Sequence, residues 1–146
     1  MNVVEFVRES NRIEGIRREP TAGEIAAHKV FFGLQRVTVP DVERLVSELA
    51  GAELRDRPGM NVRVGSHRPI PGGPQIRNAL WSLLDGLDDL TPFEAHVVYE
   101  TLHPFMDGNG RSGRALWVWM MRDLGLDAFE LPFLHRWYYQ SLDAQR

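Results

Sequence analysis

The sequence predicts an all-α domain that carries one small β flap. Apolar residues recur at helical spacing through almost the whole chain. Two segments begin with a Thr-x-x-Glu capping box, "TAGE" at residues 21–24 and "TPFE" at residues 91–94. One stretch, "GMNVRVGSHRPIPGG" at residues 59–73, departs from the helical period and is rich in glycine and proline.

Three helices are expected in the first part of the chain. The first covers about residues 3–15 and stops at Gly15. The capping box at residues 21–24 opens the second, which runs through about Leu34. The third is "VPDVERLVSELAG", residues 39–51, which ends in a glycine favoured just past a helix C-terminus.

Four further helices are expected after the interrupted stretch. "PQIRNALWSLLDGL", residues 74–87, repeats the amphipathic pattern. The next begins with Pro92 at its first helical position and ends near His103. "RALWVWMMRDLG", residues 114–125, is apolar nearly all round and is therefore expected at the centre of the fold. A last helix is expected to begin at Pro132.

The interrupted stretch predicts a short, exposed hairpin or flap. Val62 and Val64 alternate with Asn61 and Arg63, as in a half-buried strand. The prolines that follow suit an edge rather than the interior of a sheet.

The composition fits one soluble globular domain over residues 1–146, with 43% hydrophobic and 25% charged residues. No apolar run approaches the roughly 20 residues that span a bilayer, and the N-terminus lacks a signal-peptide pattern, so we expect no membrane partner. The net charge of −3 argues against nucleic-acid binding. The absence of cysteine excludes disulfides and fits a cytoplasmic location. The oligomeric state stays open.

The stretch richest in chemistry is "HPFMDGNGRSGR", residues 103–114, which joins two predicted helices. Gly108, Asn109 and Gly110 predict a tight turn that lets a ligand approach the backbone closely. The helix N-terminus after such a turn offers free N–H groups and a partial positive charge to an anion. Arg111 and Arg114, three residues apart, extend the site so that it accommodates more than one phosphate.

Asp107 and His103 add reactive groups to this anion site. A carboxylate beside a polyphosphate pocket suits Mg²⁺, and an imidazole takes up a proton near neutral pH. Each residue alone is more often a turn, a cap or a solvated charge. Their combination within twelve residues favours a nucleoside triphosphate site that carries out phosphoryl or nucleotidyl transfer.

Residues 103–114 resemble the signature of the Fic-domain family, HxFx[D/E]GNGRxxR, at every fixed position. The similarity extends to the preceding "EAHVVYETLHPF", the flap and the flanking helices, and so covers most of the chain. It implies a helical bundle with a β-hairpin flap. It also implies AMPylation, in which AMP passes from ATP to a Ser, Thr or Tyr hydroxyl of a target protein.

The resemblance implies a role for each position of this loop. His103 would be the general base on the target hydroxyl, and Phe105 the buried anchor of the loop. Asp107 would hold Mg²⁺. Arg111 and Arg114 would bind the phosphates, with Arg114 at the γ end.

Two further groups of residues receive roles in the same way. Residues 108–110 would surround the phosphates, and Asn109 would add its side-chain amide. Residues 61–64 of the flap would hold the target segment by strand addition. The loop contains nothing that would read the nucleobase, so the sequence does not indicate a base preference.

"SNRIEG", from Ser10 to Gly15, is unusual on physical grounds. Ser10 and Glu14 share a helix face, yet Glu14 lies in the last turn, where the helix dipole disfavours an anion. The segment is similar to the inhibitory helix of some Fic proteins, [S/T]xxxE[G/N]. That similarity implies a self-inhibited enzyme in which Glu14 pairs with Arg114 and blocks the γ-phosphate.

Two alternatives remain beside an inhibited adenylyltransferase. One is the reverse or a variant reaction at the same site, such as removal of AMP from a modified target with Glu14 positioning a water molecule. The other is a non-catalytic, nucleotide-responsive binding module, which the presence of His103 and Asp107 disfavours because a pure binder needs no base.

Overall fold

The computed structural model describes residues 2–126, and this part of the chain contains six α-helices and one short 3-10 helix. The α-helices are α1 (Val3–Ile13), α2 (Ala22–Phe32), α3 (Val39–Ala50), α4 (Pro74–Asp85), α5 (Pro92–Leu102) and α6 (Asn109–Asp123). The 3-10 helix, Leu87–Asp89, follows α4. The predicted all-α class is confirmed, whereas the helix expected from Pro132 lies outside the described residues. No described helix is long and apolar enough to cross a bilayer.

Capping boxes begin α2 and α5, as the sequence predicts. Thr21 Oγ1 accepts the N–H of Glu24 at 3.1 Å, and the Glu24 carboxylate accepts the N–H of Thr21 at 2.7 Å. Thr91 and Glu94 repeat this arrangement with two bonds of 3.2 Å. Each cap contributes about 1 kcal/mol. The second cap fixes the start of the helix that leads to His103.

α6 lies at the centre of the domain, as its apolar sequence predicts. It contacts α1, α2, α3 and α5. Leu116 and Val118 are 1% and 0% exposed, and Trp119 donates its Nε1–H to the Leu34 carbonyl at 2.8 Å. Because close-packed side chains anchor α6 on several sides, the polar residues of its first two turns are held in place.

The sixth helix begins at Asn109 and not, as predicted, at Arg114. The Asn109 side chain accepts the N–H of Phe105 and donates to the Phe105 carbonyl, both at 2.8 Å. The Ser112 hydroxyl donates to the Gly108 carbonyl at 2.7 Å. These bonds stabilise a first turn that glycine would otherwise disfavour. Consequently Arg111 lies in the first turn of α6 and Arg114 in the second.

The predicted β-hairpin flap is wrong: the described residues contain no sheet. Residues 59–73 form a loop in which one antiparallel bridge joins Val64 to His67 through hydrogen bonds of 3.0 and 2.9 Å. Pro69 and Pro71 have no N–H to donate to a ladder. The pairing therefore cannot extend along the second arm, and we call residues 59–73 the flap loop.

A second isolated bridge joins Leu54 to Phe105 and was not predicted. Two hydrogen bonds support it, from the Arg55 N–H to the Pro104 carbonyl at 2.8 Å and from the Met106 N–H to the Glu53 carbonyl at 3.0 Å. Phe105 is fully buried. The bridge ties the loop between α5 and α6 to the chain that leads into the flap loop.

Candidate active site

One cleft of about 540 Å³ brings together most of the residues singled out in the sequence. His103, Asp107 and residues 108–111 line it from the loop and from the start of α6. Glu14 lines it from the end of α1, and residues 62–64 from the flap loop. These segments are distant in sequence, so the fold and not local sequence assembles the cleft.

The N-terminus of α6 presents its backbone to the cleft. Gly108 caps the helix with φ of 79°, a left-handed conformation that glycine adopts without steric penalty. A side chain there would also crowd α3, because a Cβ would lie 3.1 Å from the Cβ of Ala50. The N–H groups that begin an α-helix have no partner within it. Those of Asn109, Gly110 and Arg111 are therefore suited to an anion, and we call these three N–H groups the nest.

The Asn109 side chain has a different role from the one expected. Both ends of its amide bond the backbone of Phe105, and the residue is 2% exposed. The amide therefore holds the loop in shape through the Phe105 backbone. Only the backbone N–H of Asn109 is left for the nest.

His103 ends α5 in a left-handed conformation, with φ of 52° and ψ of 63°. Its N–H donates to the Tyr99 carbonyl at 2.9 Å. The imidazole is 15% exposed, and its Nδ1 lies 3.4 Å from the carbonyl oxygen of Glu100 and 4.0 Å from the carboxylate of the same residue. The abrupt end of the helix therefore leaves the imidazole on the wall of the cleft, beside the nest.

Asp107 presents an exposed carboxylate to the cleft, and its Oδ1 accepts the N–H of Gly108 at 2.7 Å. Within residues 2–126, no group of three or more His, Asp or Glu side chains could enclose a metal ion. One carboxylate beside an anion nest still fits Mg²⁺, because this ion retains water molecules and binds phosphate oxygens together with one or two carboxylates. The donor set suits a metal that arrives with its phosphate ligand.

Arg114 is fully buried and is held by Ser10 of α1 and by Glu14, the C-cap of that helix. Its Nε donates to Ser10 Oγ at 2.9 Å, and its Nη2 donates to the Ser10 carbonyl at 2.9 Å. The same Nη2 donates to Glu14 Oε1 at 2.7 Å. The structure thus brings Ser10, Glu14 and Arg114 together, as the N-terminal motif predicts.

The Glu14 carboxylate also lies against the nest. A Cβ placed on Gly110 would overlap Glu14 Oε1 and would lie 3.2 Å from Arg114 Nη1. The Glu14 carboxylate therefore lies next to the N–H groups of the first turn of α6, which favour an anion.

Arg111 is held by two residues that the sequence did not single out for this role. Its Nη1 lies 3.5 Å from Asn11 Oδ1 and 3.7 Å from Glu24 Oε2. Asn11 also donates to Glu24 at 3.4 Å. The helical spacing of Asn11 and Glu14 was the available signal, because residues three apart share a helix face.

Glu24 is an ionised carboxylate in a buried setting, at 2% exposure. Burial alone would raise its pKa, but hydrogen bonds from Arg18 and Thr21 outweigh burial and lower the pKa to about 2. Burial lowers the pKa of Arg111, which the nearby carboxylates of Asp107, Glu14 and Glu24 oppose. The positive charge of Arg111 is therefore offset by the carboxylates of Glu14 and Glu24, which come from the C-cap of α1 and the first turn of α2.

The flap loop contributes unevenly to the cleft. Val62, Arg63 and Val64 line it, whereas Asn61 is turned into the loop, where its Oδ1 accepts the N–H of Gly72 at 2.9 Å. The backbone N–H groups of Val62 and Arg63 donate no hydrogen bond to any described residue. Val62 and Arg63 thus offer unpaired backbone N–H groups beside His103, whereas Val64 is paired with His67.

A model of the Fic/DOC family matches residues 32–121, which is more than half of the chain. The match includes the whole of residues 103–114 and the flap loop. It excludes α1, so Ser10 and Glu14 lie outside the matched part.

Proposed function

The chain belongs to the Fic/DOC family, and from this premise we propose that it is a Mg²⁺-dependent protein adenylyltransferase held inactive by Glu14. Proteins of this family generally transfer nucleotide or phosphate groups to other proteins. The observation that supports AMP transfer here is the convergence of His103, Asp107 and the nest in one cleft. The substrates would be ATP and a target protein that presents a Ser, Thr or Tyr hydroxyl.

The nest and the two arginines would bind the triphosphate. Helix N–H groups and a guanidinium are suited to phosphate oxygens, since both donate charge-assisted hydrogen bonds. Arg111 lines the cleft, and Arg114 lies behind it in the next turn of α6. This order suits Arg114 to the terminal phosphate once Glu14 no longer holds it.

His103 would act as the general base. Its imidazole takes the proton of the target hydroxyl, and the hydroxyl oxygen attacks the α-phosphorus. The bond between the α-phosphorus and its bridging oxygen breaks, and pyrophosphate leaves. A positioned base typically contributes a factor of about 10² to 10⁴ to such a rate.

Asp107 would hold Mg²⁺ together with the phosphate oxygens. The bound ion would supply positive charge that offsets the charge developing on the leaving pyrophosphate. The fully buried Phe105 and the Asn109 amide keep the Asp107 backbone in place, since they fix the loop on either side of it.

Glu14 would inhibit by occupying the place of a phosphate. Its carboxylate accepts from Arg114 at 2.7 Å and lies over Gly110 in the nest. An anion already present there repels a second one and engages the arginine that the second one needs. ATP would then bind only in a pose that is unsuited to transfer.

Residues 62–64 would hold the target beside the base. The free backbone N–H groups of Val62 and Arg63 suit an extended segment that pairs with them by strand addition. The loop form of the flap is compatible with this proposal, because strand addition needs one exposed backbone edge and not a complete hairpin.

Labelled ATP tests the proposed reaction. Glu14→Gly would be incubated with Mg²⁺ and ATP labelled at either the α- or the γ-phosphate, in the presence of a cell extract as a source of targets. Glu48→Gln, which changes an exposed acid on α3, is the matched control. We expect α-label on protein with Glu14→Gly, and little with the control or the wild type.

Each other pattern contradicts the proposal in a defined way. Transfer of γ-label instead of α-label would indicate a kinase-like reaction. Release of AMP from a premodified target that requires Glu14 would indicate the reverse reaction. Nucleotide binding without transfer in every variant would indicate a binding module.

A further inference from the structure

Arg55 is fully buried, yet every hydrogen bond of its guanidinium goes to a backbone carbonyl. Its Nε donates to His103 at 2.7 Å and its Nη2 to Leu102 at 2.9 Å. Its Nη1 donates to Met60 and Ile70, both at 3.0 Å. Among the described residues, no carboxylate forms an ion pair with it.

This arrangement uses what distinguishes arginine from other residues. Burying a cation without a carboxylate is costly, and burial lowers the pKa of Arg55. The carbonyls at the C-terminus of α5 carry partial negative charge, which offsets part of that cost. A guanidinium has five N–H donors in a rigid fork. It can therefore donate to four carbonyls on two sides at once, whereas lysine has only three N–H donors, all on one nitrogen.

On one side, Arg55 holds the backbone of His103. His103 is the only non-glycine residue with positive φ in the described part of the chain, at 52°. An L-residue adopts this conformation only when its surroundings impose it. The Arg55 side chain binds the His103 carbonyl, and the Arg55 N–H binds the next carbonyl, that of Pro104, at 2.8 Å.

On the other side, Arg55 holds the flap loop. Met60 and Ile70 flank residues 62–64, which line the cleft beside His103. The loop has a second attachment to α5, where His67 Nε2 donates to the Thr101 carbonyl at 2.9 Å. The four successive carbonyls of residues 101–104 thus all accept hydrogen bonds from Arg55 or the flap loop.

We propose that Arg55 is a positioning residue that sets the imidazole of His103 relative to residues 62–64. It thereby aligns the hydroxyl of a docked target with the base. This inference rests on the proposed transfer function, in which His103 is the base and residues 62–64 hold the target. Arg55 does not line the cleft, so it acts through the backbone of both partners.

The transfer test compares Arg55→Lys and Arg55→Gln with Arg77→Lys, each in the Glu14→Gly background. Lysine keeps the charge, whereas glutamine removes it and keeps two N–H donors, so the pair separates charge from geometry. Arg77 is the matched control because it is a partly exposed arginine bound to Glu43 and Asp56, away from the cleft.

We expect both Arg55 variants to lower kcat at least about tenfold, because a misplacement of about 1 Å at the reacting groups can cost about a hundredfold. The Kd for Mg·ATP should stay within about twofold of the parent value, because Arg55 does not touch the nest. Arg77→Lys should retain the parental kcat and the parental Kd for Mg·ATP. A purely structural role would instead lower the amount of active protein without changing kcat per folded molecule.

A second measurement does not require transfer. The ring ¹³C–¹H signal of His103, identified by its loss in His103→Ala, should shift or broaden in both Arg55 variants and not in Arg77→Lys. Unchanged kcat together with an unchanged His103 signal would overturn the proposal. A parent Glu14→Gly protein that transfers no AMP would contradict the proposed function, and the ring signal would then decide the role of Arg55 by itself.

Discussion

Glu14 accepts a hydrogen bond from Nη2 of Arg114 at 2.7 Å, although the two residues are 100 positions apart. Arg114 is fully buried, whereas the Glu14 side chain is 32% exposed. The contact therefore joins the C-cap of α1, which solvent can reach, to an arginine behind the nest. Loosening the end of α1 should change the anion site without disturbing the core.

Ser10→Ala should release the proposed inhibition only in part. The substitution removes the hydroxyl that accepts from Arg114 Nε, while the Ser10 carbonyl and Glu14 still hold Nη2. Leaving a buried donor unpaired costs about 1–3 kcal/mol. We expect AMP transfer between that of the wild type and that of Glu14→Gly, and a lower melting temperature. Transfer equal to that of Glu14→Gly would contradict this and show that Glu14 cannot inhibit without the Ser10 hydroxyl.

Gly110→Ala should change the free energy of unfolding with a sign that depends on Glu14. In the wild type the new methyl group overlaps the Glu14 carboxylate, and such overpacking costs about 1–3 kcal/mol. In Glu14→Gly this overlap is absent, and alanine in a helix gains about 0.5–1 kcal/mol over glycine. Urea denaturation of the four proteins of this double-mutant cycle measures the difference. Equal effects in both backgrounds would place Glu14 away from the nest.

His28 should make stability depend on pH. It is fully buried between Phe6 and Phe32, and its Nδ1 donates to the Glu24 carbonyl at 2.7 Å. Burial lowers its pKa from 6.5 to about 4, and the nearby Arg111 and Arg114 act in the same direction. Between these two pH values the unfolded chain binds a proton that the folded chain does not. The free energy of unfolding should therefore fall as pH falls from 6.5 to 4, by about 3 kcal/mol.

Comparison with His28→Gln isolates this effect, because glutamine keeps an N–H donor and does not titrate. Urea denaturation at a series of pH values should show the wild type losing stability relative to the variant across this window, with little change above it. Parallel curves for the two proteins would mean that His28 is not buried in its neutral form.

Asp107→Asn in the Glu14→Gly background should weaken the use of Mg²⁺. A neutral amide oxygen binds Mg²⁺ more weakly than a carboxylate does, so we expect transfer at saturating Mg²⁺ to fall about a hundredfold. EDTA should abolish transfer by the parent. The control is Asp88→Asn, an exposed position in the 3-10 helix. A variant that keeps the parental rate and Mg²⁺ dependence would remove Asp107 from the metal site.

The helices were predictable because their signals are local. Thr21 and Thr91 mark their helices through capping boxes, and Gly51 ends α3 at φ of 60°. The start of α6 was not predictable in this way. It depends on the Asn109 amide reaching back to the buried Phe105, and that tertiary contact outweighs the low helix propensity of glycine.

The cleft residues could be predicted where several of them lie close together in the sequence. Residues 103–114 combine a histidine, an aspartate, three glycines and two arginines in twelve positions, and Ser10 and Glu14 share a helix face. Arg55 has no such signal, because its four acceptors come from two other segments and are all backbone atoms. The flap loop was predicted as a hairpin because Val62 and Val64 alternate with polar residues, but alternation does not supply a partner strand.

The most direct test of the account is single-turnover transfer from α-labelled Mg·ATP to a captured target, comparing Glu14→Gly with Glu14→Gly/His103→Ala. We predict that the first protein transfers AMP and that the second transfers at least about a hundredfold more slowly. Both should bind Mg·ATP with similar Kd. Equal transfer rates in the two proteins, or no transfer by Glu14→Gly despite tight Mg·ATP binding, would contradict the account.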